Sequence, residues 1–91
     1  MGSSIEFSVN LWREGEMVIA HAMPLDVTSA GSTPEDARRA LDEAVGLFLS
    51  TARDHGTLEE VLLDCGYARS GETWQGPAWI GMELHALSVA A

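Results

Sequence analysis

The sequence predicts an α+β domain of order βββααβ, a small and mainly antiparallel sheet with one long helix packed on one face. Three observations carry that prediction. Apolar residues alternate with polar ones through two early segments joined by a short turn. The period then changes to three and four over about 20 residues. Alternation returns in the last residues of the chain. With 91 residues, 46% of them hydrophobic, and a mean hydropathy of +0.04, the chain is long enough for one domain, read here as spanning residues 5–91.

From Ile5 to Trp12, Ile5, Phe7, Val9 and Leu11 point one way and Glu6, Ser8, Asn10 and Trp12 the other. That is the pattern of a strand with one buried face. Arg13-Glu14-Gly15-Glu16 supplies a turn, so Met17–Met23 completes a β-hairpin. In that strand Val18, Ala20 and Ala22 oppose Met17, Ile19, His21 and Met23. Pro24 stops the ladder because it has no amide proton to give. Leu25–Ala30 is expected as a short third strand.

Thr33 has the chemistry of a helix N-cap, Pro34 fits the first turn, and Asp36 completes a variant capping box. Ala37, Leu41, Ala44, Val45, Phe48, Leu49 and Ala52 then form one apolar stripe. Gly56 is expected to stop this helix. Thr57 with Glu60 reads as a second capping box, followed by a short helix that turns Leu58, Val61, Leu62 and Cys65 inward and ends at Gly66. Arg69–Pro77 reads as loop or partly extended chain. Trp79–Val89 reads as the last strand, with Met82, Leu84, Ala86 and Ser88 alternating with Glu83, His85, Leu87 and Val89.

Fourteen acidic residues face five basic ones, all arginine, for a net charge of −9. A phosphate-binding surface needs clustered positive charge. The one adjacent pair, Arg38 and Arg39, is ringed by Glu35, Asp36, Asp42 and Glu43, so no direct nucleic-acid binding is expected. A basic protein partner suits this charge. No apolar run approaches the roughly 18 residues of a membrane span, and the first residues lack the pattern of a signal peptide. A cytoplasmic location follows as the expectation. Cys65 is the only cysteine and reads as a small buried side chain.

The hairpin around "EGEMVIAHAMP", then "TSAGSTPEDARRALDEAVGLFL", then "HGTLEEVLLDCGY" resembles the HicB-like antitoxin family. Gly31, Thr33, Glu35 and Ala37 match its glycine–threonine entry to an acidic helix start, and Ala40 and Ala44 its alanine-rich helix. The resemblance covers Ile5–Tyr67. It implies a partial RNase H fold and a non-enzymatic role: binding and neutralising a small basic, mRNA-cleaving toxin of the HicA type. Family members with a full antitoxin role add a C-terminal DNA-binding segment. The residues after Tyr67, with Arg69 as their only arginine or lysine, do not match one.

Two-metal nuclease chemistry needs several carboxylates converging on the ions. Glu6 and Asp26 are the residues on which an alternative would rest: a degenerate RNase H-like enzyme or a small-ligand sensor. Both read more simply as solvated sheet residues. His21, His55 and His85 share no ligand spacing. No catalytic residue, metal or cofactor is expected.

Candidate interface residues are Trp12, Met17, Ile19 and Met23, placed on or near the uncovered sheet face, together with Trp74 in its loop. For Trp12 and Trp74, an interface role and a role in covering the ends of a small core both remain open. Trp79 is expected in the core. A homodimer or larger even-numbered oligomer would bury the uncovered face. Its like charges would be screened beyond about 8 Å at physiological salt.

Overall fold

A computed structural model of the chain describes residues 2–90; Met1 and Ala91, the last residue of the expected domain, lie outside the described residues. The architecture is α+β, with the strand-rich half first and the long helix packed against it. Strands β1 (Ser4–Ile5), β2 (Ser8–Glu14), β3 (Met17–Met23) and β4 (Val27–Gly31) precede helices α1 (Pro34–Asp54) and α2 (Leu58–Asp64). Two short strands follow, β5 (Ala68–Ser70) and β6 (Thr73–Gln75). They form two three-stranded sheets, in the orders β2-β3-β4 and β1-β6-β5.

The expected hairpin forms in the expected register, with Val9 opposite Ala22, Leu11 opposite Ala20 and Trp12 opposite Ile19. The expected first strand is divided at Glu6–Phe7 because its two parts serve different partners. β1 runs parallel to β6, and β2 runs antiparallel to β3. At the division the Glu6 amide donates to the Trp74 carbonyl (3.0 Å), and the Glu6 carbonyl accepts the Tyr67 hydroxyl (2.5 Å).

The third strand begins two residues later than expected. Pro24, Leu25 and Asp26 are used up in the turn, where Leu25 drops into the core. Asp26 takes a left-handed backbone (φ 61°), a conformation aspartate tolerates better than most residues, and its amide donates to the Ala22 carbonyl (2.8 Å).

Helix α1 starts as its sequence requires: the Asp36 amide donates to Thr33 Oγ1 (3.1 Å). It covers β3 and β4. The core consists of Val18, Ala20, Ala22 and Leu25 against Ala37, Leu41 and Val45, closed at one end by Leu62, Tyr67 and Trp74. Alanines at the contact let the helix sit close to the sheet. The closest approach is at Gly31, where an added Cβ would lie 2.6 Å from the Ala37 amide nitrogen. Phe48, at the margin of the apolar stripe, departs from the expectation and is exposed beside Leu47.

Gly56 ends α1 with a positive φ of 72°. The second capping box does not form. Thr57 Oγ1 donates back to the Ala52 carbonyl (3.2 Å), which leaves no side-chain cap on α2. Cys65 packs half-buried against the core.

The largest departure lies after α2. The last strands are β5 and β6, a hairpin around Gly71 that, apart from Ala68, falls in the segment read as loop or partly extended chain. Trp79–Val89 forms no strand and lies exposed. Strand β6 joins the sheet through β1, and that pairing fixes which tryptophan is buried. Trp74 is in the core at 4% exposure, so of its two open readings the structure bears out core cover and not the interface anchor; Trp79, expected in the core, is 55% exposed. No helix among the described residues is long and apolar enough to cross a membrane.

Candidate interaction face

Cross-strand partners share a face of the sheet. Val18, Ala20 and Ala22 are buried under α1, so Val9, Leu11, Val27 and Ser29 share their side. The opposite side carries Trp12, Met17, Ile19, His21 and Met23, flanked by Asn10, Glu14 and Thr28. The structure thus brings four of the sequence-derived candidates together on the side that no helix covers. Trp74 is not among them.

Trp12 and Met17 are exposed by 41% and 43%, while Ile19 and Met23 are half-buried among their neighbours. Trp12 makes two side-chain contacts on this face. Its indole Nε1 donates to Glu14 Oε1 (2.9 Å), and its ring meets the His21 ring edge-on at 6.0 Å between centroids. His21 Nε2 in turn lies 2.6 Å from Asp26 Oδ1. A chain of contacts therefore runs from Glu14 through Trp12 and His21 to Asp26. It places an aromatic ring between two carboxylates.

At the end of this face, Met23 and Pro24 line a cleft of about 530 Å³ with Ile5, Phe7, Pro77 and Trp79. On the helix side, Leu47 and Phe48 border a shallow apolar groove with Ala44 and Val61. Strict helical periodicity did not separate this margin from the buried stripe.

The two carboxylates of the enzymatic alternative have separate surroundings. Asp26 is engaged with His21, and Glu6 stands at the division between β1 and β2. Among the described residues, no group of three or more His, Cys, Asp or Glu is placed to hold a metal ion. The adjacent arginines are already paired within their own helix turn, Arg38 with Glu35 (3.9 Å) and Arg39 with Asp36 (3.3 Å).

Burial, with the neighbouring Cys65 and Glu6 charges adding to it, pushes the Tyr67 hydroxyl up to about 12. This group ties the β1–β2 division to the end of α2 and faces the core rather than the candidate interface.

No protein-family model, curated protein or solved structure matches the chain. The class that fold and face define is therefore a small α+β domain with a helix on one side of its sheet and an aromatic, acid-flanked platform on the other.

Proposed function

We propose that the chain is a non-enzymatic protein-binding module that neutralises a small basic toxin of the HicA type, as its resemblance to HicB-like antitoxins implies. The observation that carries this reading is the uncovered sheet face, where Trp12 and Met17 stand exposed beside Ile19 and Met23. An interface needs a desolvated aromatic centre with polar groups around it. Trp12 supplies the centre, and Glu14 and Asp26 lie along the same side.

The net charge of −9 suits a basic partner in two ways. It speeds the encounter and disfavours acidic competitors. A toxin that grips RNA must carry positive charge, and carboxylates beside an apolar anchor can occupy that surface.

The test is native affinity purification of the tagged chain from its own cells, followed by mass spectrometry. A small basic protein should co-purify in stoichiometric amount, and a Trp12→Ala, Met17→Glu variant should lose it. Recovery of the wild-type chain with no basic partner of about its own size would count decisively against the reading.

A further inference from the structure

We propose that the C-terminal segment Ile80–Ala90 is an exchanged strand, which pairs along the outer edge of β2 in a second copy of the chain while receiving that copy's segment in return.

The segment starts beside its own β2, where Gly81 and Met82 share a cleft with Ser8 and Asn10, and then leaves the body of its protomer. Ile80, Met82, Leu84, Leu87 and Val89 are 85–101% exposed. Among the described residues, no backbone hydrogen bond joins residues 76–90 to the rest of the chain; their one side-chain bond is internal, between His85 and Glu83. The radius of gyration is 15.6 Å, whereas a compact chain of this length comes to about 12 Å. A water-exposed run of this kind, alternating and nearly free of charge, has the composition of a strand awaiting a sheet.

The edge of β2 is the complementary feature. β6 covers β1 only as far as Ile5 opposite Trp74, so from Ser8 onward β2 has a hydrogen-bonded neighbour on one side alone, with Gly81 and Met82 of the same chain near it at Ser8 and Asn10. Its ladder with β3 is unbroken from Ser8 to Glu14, and it contains neither proline nor lysine. Natural edges are usually blunted by such devices. Val9 and Leu11 are each 37% exposed on the helix side of this edge and Trp12 on the other, so both faces of an added strand would meet apolar neighbours. The lengths agree: the seven residues of β2 span about 23 Å, and the segment, at about 3.3 Å per residue, covers that with chain to spare for the crossing.

The occupant is a second copy for two reasons. Each tail offers five fully exposed large side chains, worth about 60–120 Å² apiece. Two tails and the surfaces receiving them come to on the order of 1,500 Å², within the range of a stable interface. The segment also carries little charge with which to select a basic partner, and left open it would be an aggregation hazard. Its cover must be present whenever the chain is, and another copy of the chain meets that condition.

The proposal concerns the free protein and does not rest on the toxin-binding reading. Light scattering on the full chain at micromolar concentration should give about twice the 9.8 kDa chain mass. The Leu84→Glu, Leu87→Glu double variant, altered only at side chains that are 92–100% exposed in their own protomer, should keep the wild-type circular dichroism and fall to a monomer. In a Cys65→Ser background, an Asn10→Cys chain mixed with a differently tagged Leu84→Cys chain should form a covalent heterodimer with a short bismaleimide. A wild-type monomer at high concentration, a double variant that remains dimeric through another face, or the absence of the cross-linked heterodimer would each overturn the proposal.

Discussion

Gly31→Ala should be among the most damaging single-methyl additions in this protein, and Gly46→Ala a beneficial one. At Gly31 a Cβ would lie 2.6 Å from the Ala37 nitrogen and 2.8 Å from both the Asp36 carbonyl carbon and the Asp36 Cβ. Backbone atoms in the first turn of α1 cannot rotate aside. Ordinary contact would require the helix start to retreat from β4 by about 0.8 Å or more. That movement loosens Ala37 and Leu41, both fully buried, and disturbs the Thr33 cap. Overpacking against a rigid neighbour costs about 2–4 kcal/mol. In a domain of this size each kcal/mol is worth about 4–8 °C in Tm, so a fall of roughly 8–32 °C follows. Gly46 sits exposed inside the same helix with nothing within 4 Å of an added Cβ. There the substitution removes backbone freedom from the unfolded chain and should stabilise by about 0.5–1 kcal/mol. Paired urea melts followed by circular dichroism measure both. A Gly31→Ala variant within 0.5 kcal/mol of wild type would refute the close helix–sheet contact on which the fold is built.

Three further outcomes are expected. Thr33→Ala should cost about 1 kcal/mol by urea melt, and Thr33→Ser or Thr33→Asp should retain most of the stability, because only the oxygen that accepts the Asp36 amide matters. Tyr67 is neutral in the fold and its folded pKa, about 12, lies above the ordinary value of 10. Its contribution is therefore complete below pH 10 and is lost as pH rises from about 10 to 12, by on the order of 1–3 kcal/mol; Tyr67→Phe should flatten that alkaline slope. Trp12→Ala should leave the melting curve within about 0.5 kcal/mol of wild type, since the ring is 41% exposed, yet weaken the captured basic partner by 2 kcal/mol or more in a binding titration.

Much of this architecture was legible because it is local or strictly periodic. The turn at Gly15 and the alternation on both sides of it specify the β2–β3 register, which places Trp12, Met17, Ile19 and Met23 on one face. Thr33, Pro34 and Asp36 specify where α1 begins. The illegible parts depend on contacts distant in sequence. β5 and β6 are three residues each, too short for a period to register, and they exist because β1 offers β6 a parallel neighbour some 70 residues away in the chain. That pairing buries Trp74 and leaves Trp79 outside, a distinction no property of the two side chains contains. Gly31 matched the family's helix entry, but its steric role appears only when β4 and α1 are seen in contact. Trp79–Val89 shows the reverse case: a strand-like pattern without a strand partner in its own protomer.

If, as proposed, this chain neutralises a ribonuclease by binding it, the effect should be reproducible with purified proteins. The most direct measurement is a ribonuclease assay on the basic protein that co-purifies with it, separated under denaturing conditions, refolded, and mixed again with the purified chain. The partner alone should cleave RNA, the chain alone should not, and an equimolar amount of the chain should suppress cleavage, with a Trp12→Ala, Met17→Glu variant failing to suppress it. Cleavage by the chain itself, or a partner whose activity is unchanged by equimolar chain, would contradict it.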